Sequence, residues 1–349
     1  MRSLKKYITI LVVLSLIIAS LSGCGERRSG NNTANDTDPT PKEPATVRIG
    51  SLTGPTTIGL VKLLSDAEES KTENKYVSTI AGSADELTPL MIKGELDVLV
   101  APSNLASVLY NKTEGKIQMA AVTTLGVLSI FAADMPRDLI NTPYDWNELK
   151  GNTIYATGKG STPEYNLRYL LTKHGIDPDK DVNIEFKSEP AEILALYESS
   201  DHQKGFFFML PQPYASVVSA KYPELAKIFD LSEEWDKLGE DSKMITACIM
   251  VRKEFAEQEP EAVETLLKEY AASAEWVNAN VDEAAALVEK YIGTKAAIAK
   301  KAIPLCNIVS ITGSEMKKAV EAYYKVLFGF NSASVGGKLP ADDFYYGAK

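Results

Sequence analysis

The sequence predicts an α/β protein with two doubly wound lobes that are joined by two crossing strands. Three observations indicate this: short apolar strands alternate with helices from residue 46 onwards, a short motif recurs in the second half of that stretch, and a long apolar segment follows each half. Strands and helices that alternate at this spacing are typical of parallel sheets covered by helices. The predicted divisions are a signal peptide (1–23), a lipidated cysteine and tether (24–45), lobe 1 (46–128 plus 247–349) and lobe 2 (129–246).

The N-terminus has the pattern of a bacterial signal peptide. The positive stretch MRSLKK (1–6) precedes 15 apolar residues (7–21), a run too short to span a bilayer comfortably. The next residues, LSGC (21–24), resemble a lipobox. The resemblance implies that a diacylglyceryl group is attached to the Cys24 thiol and that the chain is cleaved just before it, which anchors the protein to the cell membrane. The alternatives are an ordinary secreted protein and an uncleaved N-terminal helix.

A polar segment follows the cysteine. Residues 25–46 contain no large apolar side chain and are rich in Gly, Asn, Thr, Asp and Pro. Such a composition favours a solvated tether that spans roughly 25 Å. We expect the folded body to lie just above the membrane surface.

The first repeat unit consists of three strand–helix pairs and a closing strand. A capping box, Ser83 to Glu86, starts its second helix, and Gly94 ends that helix. The predicted elements are strands TVRIGSL (46–52), KYVSTIAG (75–82) and LDVLVAP (96–102), helices at 54–69, 83–94 and 103–113, and a long strand-like span at 117–134.

The second unit restarts the same cycle. VAPSNLASVL (100–109) aligns with MLPQPYASVV (209–218), and GPT (54–56) aligns with GST (160–162) in the same order. Two matches at nearly the same offset indicate an internal repeat. The predicted elements are strands NTIYATG (152–158), VNIEFKS (182–188) and GFFFMLP (205–211), and helices at 161–175, 190–200 and 212–222.

The remainder is predicted to return to the first lobe. KMITACIMVRKEF (243–255) reads as a long strand that pairs with LGVLSIFAAD (125–134), so that these two segments cross between the lobes. Four helices follow, within 259–280, 281–293, 295–303 and 313–329. The acidic stretch 231–243 is predicted to be a solvated face or a surface that docks a partner, and 336–349 has no predicted structure.

Composition excludes several classes of protein. The formal net charge is −10, and removal of residues 1–23 with their three cations takes it to −13, opposite to the sign of a nucleic-acid binder. Cys248 and Cys306 lie in apolar runs and read as buried free thiols, although the compartment would permit a disulfide. The two histidines, His174 and His202, read as helix-end or loop residues. We therefore expect no metal site, no cofactor and no histidine-based catalysis.

The stretch YATGKGSTPEY (155–165) has the residue types of a phosphate-binding loop. A P-loop needs its lysine directly after the last glycine, whereas Lys159 lies between Gly158 and Gly160. The order of residues therefore argues against ATP binding. Ser161 with Glu164 three residues later fits a capping box, and Pro163 suits a first helical turn, so capping alone could explain these residues.

The whole of 46–349 resembles the type II substrate-binding proteins of ABC importers, with the fold of the periplasmic binding proteins. The resemblance is strongest to the nitrate, sulfonate and thiamine-precursor cluster, whose relatives include menaquinone-pathway (MqnA/MqnD-like) proteins. It is carried by GPTTIG (54–59), LMIKGELDVLVAPSNLASVLYNK (90–112), LKGNTIYATGKGSTPEY (149–165) and LPQPYAS (210–216). The family often has Glu-Pro where this chain has Gln212-Pro213, so a cation-pairing role at that position is in doubt.

The turns after the strands of a doubly wound sheet supply the candidate binding site. Helix N-termini there carry unpartnered N–H groups and partial positive charge, and they point into the crevice. Lys159 and Glu164 are the only charged residues in the predicted lining of the crevice. We therefore predict a small ligand that is neutral or a diffuse anion. The predicted ligand-binding residues are Thr56, Thr57, Ser103, Asn104, Thr124, Gly126, Gly160, Ser161, Thr162, Gln212 and Tyr214.

These features favour an extracytoplasmic lipoprotein that captures a small molecule in the cleft. The resemblance implies that a membrane permease reads the closed form and that a separate cytosolic ATPase hydrolyses ATP. We expect a monomer that does not bind nucleic acid. The alternatives are an enzyme on the same fold, as among the menaquinone-pathway and thiamine-pathway relatives, and a ligand sensor for a membrane receptor.

Overall fold

The structure is a computed structural model that describes residues 43–133, 144–200 and 206–348. The predicted signal peptide, Cys24 and nearly all of the predicted tether lie outside these ranges, as does His202. Among the helices in the described ranges, none combines the length and apolarity that crossing a bilayer requires.

The strands and helices alternate along the chain as the sequence pattern indicates. The strands are β1 (Thr46–Leu52), β2 (Lys75–Ala81), β3 (Val98–Pro102), β4 (Ile117–Leu125), β5 (Leu128–Ala132), β6 (Thr153–Thr157), β7 (Asn183–Lys187), β8 (Phe206–Pro211), β9 (Ala226–Asp230), β10 (Ile245–Arg252) and β11 (Ile308–Ile311). The helices are α1 (Pro55–Ile58), α2 (Val61–Glu68), α3 (Ala84–Lys93), α4 (Ser103–Lys112), α5 (Thr162–Lys173), α6 (Pro190–Ser199), α7 (Tyr214–Lys221), α8 (Leu231–Lys237), α9 (Lys253–Gln258), α10 (Pro260–Ala279), α11 (Val281–Ile292), α12 (Ala296–Ala302) and α13 (Gly313–Phe330).

The strands form two mixed sheets. Sheet 1 has the order β11-β4-β10-β3-β1-β2, and sheet 2 has the order β7-β6-β8-β5-β9. In sheet 1, β1 is parallel to β2 and β3, and in sheet 2, β6 is parallel to β7 and β8. The predicted α/β class with two sheets is confirmed, but each sheet also contains antiparallel pairs that the strand–helix alternation did not reveal.

The internal repeat is visible in the sheet order. From one edge, both sheets place the second strand of the repeat unit first, then the first strand, then the third, and then an antiparallel strand. The antiparallel strand of sheet 2 is β5, which follows the first unit, whereas that of sheet 1 is β10, which follows the second unit. Each half of the repeat therefore completes the sheet of the other half.

This exchange corrects the predicted strand pairing. The span 117–134 is not one strand, because β4 ends at Leu125 in sheet 1 and β5 begins at Leu128 in sheet 2. The strand predicted at 243–255 does not pair with 125–134 as a crossing strand, because β10 lies between β3 and β4 in the centre of sheet 1. The crossings are instead the turn at 126–127 and the segment 231–244. Residues 44–349 form one compact unit, so the predicted lobe boundaries stay a prediction.

The hydrophobic residues form one shared core and two separate cores. Along central strands, neighbouring side chains alternate between cores: Leu99 belongs to the shared core, whereas Val98 and Val100 belong to the core of sheet 1 alone. The shared core joins sheet 1, sheet 2 and helices α4, α5, α8 and α13. On the other faces, sheet 1 packs with α2, α10 and α11, and sheet 2 packs separately with α6 and α7.

The acidic stretch 231–243 was predicted to be solvated, and this is wrong for one face of α8. Leu231 and Trp235 are fully buried in the shared core, because residues four apart lie on the same side of a helix. Glu234 is also buried, and its carboxylate accepts a hydrogen bond from Trp146 Nε1 at 3.0 Å. The spacing of Leu231 and Trp235 was the available signal, and the acidic composition obscured it.

The C-terminal segment covers the shared core. Phe344 is fully buried between the rings of Tyr110 and Tyr324, and the backbone N–H of Tyr346 donates to Met119 O at 2.9 Å. Residues 336–349, for which the sequence predicted no structure, therefore include a docked end that seals sheet 1 beside β4.

A buried carboxylate ties together three strands at the end of sheet 1 opposite the turns. Asp97 Oδ2 accepts from Arg48 Nε at 2.8 Å, and Asp97 Oδ1 accepts from Arg252 Nη2 at 3.0 Å. Burial alone would raise the pKa of Asp97, but the hydrogen bonds from Arg48 and Arg252 hold that pKa below its usual value. The charge on Asp97 therefore stabilises the folded state.

We expect Asp97→Asn to lower the free energy of unfolding at pH 7 by about 2 kcal/mol, less than for a fully enclosed pair, because Arg48 remains partly exposed. Since the folded pKa lies below the unfolded value near 3.9, this stabilisation is complete above that value and is lost as pH falls through the folded pKa. The difference between wild type and variant should therefore shrink towards pH 3 in urea unfolding. Glu73→Gln removes an exposed pair with Lys268 and should change stability by less than about 0.5 kcal/mol. Equal losses in the two variants would contradict this assignment.

Candidate functional site

The two sheets meet through the turns at their strand ends, and this contact region is called the cleft below. The carboxyl ends of β1 and β3 and the start of β10 supply its sheet 1 side, and the carboxyl ends of β6 and β8 and the start of β5 supply its sheet 2 side. A parallel strand presents its carboxyl end at this edge, whereas an antiparallel neighbour presents its amino end. The cleft therefore collects residues that precede β5 and β10 as well as residues that follow the parallel strands.

Direct hydrogen bonds cross the cleft between α4 and α5. Thr162 Oγ1 lies 3.3 Å from Asn104 Oδ1 and 3.2 Å from Thr246 O, and both oxygens can accept its proton. Asn104 Nδ2 donates to Ser334 O at 2.9 Å and approaches Gly160 O at 3.5 Å. Asn104 and Thr162 are fully buried. Of the predicted site residues, Asn104, Gly160 and Thr162 are thus brought together.

Ser103 is oriented towards the sheet rather than into open space. Its Oγ donates to Ile245 O at 2.7 Å, and Tyr324 OH donates to Ser103 O at 2.5 Å. These bonds fix the start of α4 against β10 and α13. Ser103 therefore positions its neighbour Asn104, whose side chain reaches across the cleft.

The predicted residues on α1 bond to their own half of the molecule. Thr56 Oγ1 donates to Leu52 O at 2.5 Å, and Thr57 Oγ1 lies 2.6 Å from the same oxygen and 2.8 Å from Ser51 Oγ. Both threonines are buried. Because α1 has only four residues, its dipole is small, and the hydroxyls serve to fold the turn after β1.

The turn after β6 does not contain the capping box that the sequence suggested. Ser161 Oγ donates to Gly158 O at 2.7 Å, while Glu164 accepts from Gly160 N at 2.6 Å and from Arg168 Nε at 2.8 Å. Gly160 has a φ of +71°, a conformation that favours glycine. The Glu164 carboxylate therefore bonds to the N–H of Gly160 instead of the N–H of Ser161, which a capping box would use. The Ser161 side chain does not cap the first turn of α5.

The first crossing runs through Gly126 and meets the second crossing at Ser232. A Cβ atom at position 126 would collide with Ser232 Oγ and would lie 2.9 Å from Ser232 Cβ, so only glycine fits. Asn307 Nδ2 donates to Gly126 O at 2.5 Å and fixes the turn. Nearby, the buried hydroxyls of Thr124, Ser232 and Thr246 have no hydrogen-bond partner within the described ranges.

The turn after β7 brings the charge of Glu189 close to Tyr214, which follows β8, and the sequence analysis did not anticipate this charge. Burial, together with the negative charge of Glu189, raises the pKa of the half-buried Tyr214. Glu189 also reaches sheet 1, because a Cβ atom at Gly82 would lie 2.5 Å from its Oε1. The expectation that only Lys159 and Glu164 are charged here is therefore wrong.

Gln212 lines two adjoining cavities where the halves meet. Its Oε1 accepts from Ser216 Oγ at 2.8 Å, and it is 6% exposed. One cavity, of about 230 Å³, also includes Gly126, Ser232 and Asn307; the other, of about 270 Å³, lies between α7 and α12. Gln212 and Gly126 are thus brought to one cavity, separate from the Asn104–Thr162 contact.

A larger cavity lies away from these residues. It measures about 740 Å³ and lies between α5, the loop 175–179 and the end of α13. Arg168, its cation, already pairs with Glu164 and with Asp179 at 2.7 Å. Since it contains none of the predicted site residues, volume alone does not identify the functional site.

Five polar residues near the cleft were not among the predicted site residues: Thr246, Ser232, Asn307, Lys227 and Glu189. Thr246 lies at the start of the antiparallel strand β10, and Ser232 lies in the crossing that leads to it. The sequence analysis considered only the turns that follow parallel strands, so it did not include these two residues. The polar Thr246 within the apolar run MITACIMV (244–251) was a usable signal. No comparable sequence signal indicates Asn307, Lys227 or Glu189.

The two cysteines in the described ranges are buried in the interior, and His174 packs against an aromatic ring. Cys248 and Cys306 are free and fully buried, and burial raises the pKa of both thiols. His174 stacks on Trp146 with ring centroids 4.5 Å apart, and burial lowers its pKa, so its imidazole is neutral at pH 7. Within the described part of the chain, no group of His, Cys, Asp and Glu side chains has an arrangement that could hold a metal ion.

Two similar halves, joined by two crossings and facing each other through polar turns, define the periplasmic-binding-protein type of fold. Solved structures of this class confirm it. An ABC transporter protein from Parabacteroides distasonis superposes with a TM-score of 0.67 at 23% identity, covering 86% of this chain and 98% of that one. The aliphatic sulphonate-binding protein SsuA of Escherichia coli gives 0.65 at 16% identity, covering 85% and 93%.

A third structure and two sequence comparisons agree with the resemblance seen in the sequence. The alkanesulfonate-binding protein SsuA of Xanthomonas axonopodis pv. citri, bound to MOPS, gives a TM-score of 0.66 at 14% identity, covering 85% of this chain and 96% of that one. A family model described as menaquinone biosynthesis matches residues 218–328. YtlA of Bacillus subtilis (strain 168), named as a candidate binding protein, is 25% identical over 230 residues, which are 56% of this chain and 65% of YtlA.

We expect Gly126→Ala to lower the free energy of unfolding by about 1–3 kcal/mol, because the new methyl group overlaps Ser232 at the point where the crossings touch. Ser232→Gly in the same chain removes both clashing atoms and should restore most of the loss. Gly329→Ala is the control, because Gly329, like Gly126, does not have a positive φ and has open space around it, so a methyl group there should not lower stability. Urea unfolding of the single and double variants measures the coupling. Additive effects of the changes at 126 and 232 would contradict the contact.

Proposed function

We propose that this chain is the extracytoplasmic solute-binding component of an ABC importer, and that it captures a small molecule in the cleft. The observation that carries the proposal is the set of polar turns, from two similar halves, that meet across the cleft at Asn104, Thr162 and Thr246. A ligand placed among such turns would contact both halves at once. The sulfonate-binding proteins of this fold support the same interpretation.

The mechanism we propose is closure of the halves around the ligand. A ligand that contacts both halves favours the closed arrangement by its difference in affinity for the closed and open states. In this mechanism the two crossings, at 126–127 and 231–244, hold the halves together on the side of the shared core, and the separation of the halves changes on the opposite side. A permease would then distinguish the closed form, and a separate cytosolic ATPase would supply the energy.

The ligand class follows from the donors that the cleft supplies. Neither Pro102 nor Ser161 gives a side-chain cap to α4 or α5, so the N–H groups in the first turns of these two helices are available to an acceptor. The hydroxyls of Thr124 and Thr246 are also without partners among the described residues. We infer a small neutral or anionic molecule, such as a sulfonate or a pyrimidine, with the Glu189 carboxylate limiting how much negative charge the outer part of the cleft accepts.

The proposed setting of the protein depends on its N-terminus. LSGC (21–24) is interpreted as the site of lipidation at Cys24, and residues 24–45 as the tether that holds the folded body near the membrane. Lobe 1 is then formed by 46–128 and 247–349, and lobe 2 by 129–246. We propose that the protein acts as a monomer, because binding and closure need only the two lobes of one chain.

One observation favours an enzyme as a second candidate. The family model that matches residues 218–328 is described by menaquinone biosynthesis, and enzymes are known among such relatives. In the described ranges, the titratable side chains at the turns that precede α5, α6 and α7 include Lys159, Glu164, Glu189 and Tyr214, none of them a histidine or cysteine. Turnover of a candidate substrate by the purified chain would favour the enzyme, whereas tight binding without turnover favours transport.

The direct test combines identification of the ligand with a measure of closure. Native mass spectrometry of the purified protein would identify a molecule that co-purifies, and calorimetry would test alkanesulfonates, nitrate, pyrimidines and flavin precursors. We expect one of these classes to bind and to reduce the radius of gyration in solution scattering. Binding of a polycation in preference to all of them would contradict the proposed ligand class.

We expect Thr162→Val to weaken the binding of the identified ligand by about tenfold, because the variant loses the hydroxyl that links α5 to Asn104 and Thr246. Thr172→Val is a matched control on the same helix, because the Thr172 hydroxyl donates to Arg168 O on an exposed surface. Calorimetry on both variants measures the difference. An unchanged dissociation constant in Thr162→Val would remove α5 from the binding site.

A further inference from the structure

The two halves are held together unequally on their two faces. On one face, the aromatic residues of both halves lie in the shared core: Trp235 lies 5.6 Å from Tyr323, and Tyr169 lies 5.7 Å from Phe330 between ring centroids. On the other face, the core of sheet 1 and the core of sheet 2 are separate clusters. Separation of the halves would break a hydrophobic core only on the first face.

The face with separate cores contains a cavity to which both halves contribute. Helix α7 packs beside sheet 2, helix α12 packs beside sheet 1, and the cavity of about 270 Å³ lies between them. Its residues include Gln212 and Ser216 from the α7 side and Lys301 and Leu305 from the α12 side. Helices α7 and α12 also contact each other directly, and the cavity lies beside that contact.

Two lysines, one from each half, line this cavity. Lys227 lies on β9 and Lys301 lies in the last turn of α12. Lys227 has Asp230 as a neighbour, with Nζ 3.6 Å from Oδ2, whereas Lys301 makes no ion pair within the described residues. Both lysines are exposed, so solvent screens their mutual repulsion, and an anion placed between them would be attracted by both.

The polar side chains around the lysines are suited to an anion with oxygen acceptors. Ser216 and Gln212 are 7% and 6% exposed, and their side chains bond to each other at 2.8 Å. Gln212 Oε1 accepts hydrogen bonds from Ser216 N and Ser216 Oγ, so the Gln212 amide nitrogen remains available as a donor. Asp230 and Glu233 line the adjoining cavity and oppose an anion there, so the site is confined to the side that faces α12.

We propose that Lys227 and Lys301 hold a singly charged anionic group, such as a sulfonate or carboxylate, between α7 and α12. This inference rests on the proposed function, because the group would be the anionic end of the captured ligand. The lysines then act as a contact that forms only when the halves approach each other.

The test uses a small probe rather than the unidentified ligand. Sodium ethanesulfonate is titrated into the protein at constant ionic strength against sodium chloride, with diethyl sulfone as a neutral analogue of similar size. We expect saturable binding of ethanesulfonate and none of the sulfone. Lys301→Gln and Lys227→Gln should each weaken the binding by about tenfold, because each removes one charged hydrogen bond. Asp230→Asn should strengthen it, because a competing negative charge is lost.

Lys300→Gln is the matched control, since Lys300 lies beside Lys301 on α12 and pairs with Asp282 at the exposed surface. It should leave the binding of ethanesulfonate unchanged. Equal weakening by Lys300→Gln, unchanged binding in Lys301→Gln, or no binding to the wild type would each overturn the inference. The proposed function has a separate test: it is contradicted if no candidate ligand reduces the radius of gyration in solution scattering, whatever the result with ethanesulfonate.

Discussion

The shared hydrophobic core on one face of the molecule is the constraint on which the other features depend. Trp235 and Tyr169 from the second half pack against Tyr323 and Phe330 of α13, and the contact excludes water from a continuous set of side chains. Burial of large aromatic side chains is worth several kcal/mol in total, so this face resists separation. On the opposite face the two cores are independent, so no shared apolar cluster opposes separation of the halves there.

The exchange of antiparallel strands explains why the core is shared. Because β5 enters sheet 2 directly after β4 and β10 returns to sheet 1 after α8, both crossings pass close together at Gly126 and Ser232. The crossings and α13 therefore restrict the halves along one side. The polar turns of the two halves meet next to these crossings. The hydroxyls of Thr124, Thr162 and Thr246 therefore lie between the face with the shared core and the face with separate cores.

Much of the fold could be predicted from the sequence because local patterns determine it. The alternation of β and α elements, the capping box at Ser83 with Glu86, and the repeat of 100–109 in 209–218 all correspond to observed structure. The pairing of β10 could not be predicted in this way, because an apolar run that is buried on both faces has no preferred partner in its own sequence. Leu231 and Trp235 show the related limit, since an acidic composition says nothing about which helix face is buried.

The predicted site shows the same division between local and long-range information. The sequence located the turns after β3, β6 and β8, because each turn is marked by Gly, Pro and hydroxyl residues next to an apolar strand. Which of those side chains reach across the cleft depends on the angle between the sheets. Asn104 and Thr162 do so, whereas Thr56 and Thr57 bond back to Leu52. Glu189 and Lys227 enter the site only through the packing of the two halves.

The strengths of these contacts differ in a way that would suit the reversible closure proposed above. Opening the cleft exchanges the hydrogen bonds of Thr162 and Asn104 for bonds to water, a net change of only about 0.5–1.5 kcal/mol each. Opening the shared core would expose the rings of Trp235 and Tyr323, which is far less favourable. The polar contacts therefore favour closure weakly, and the core keeps the halves in register when those contacts break. A ligand that bonds to both halves needs to contribute only a small additional free energy to determine which state is populated.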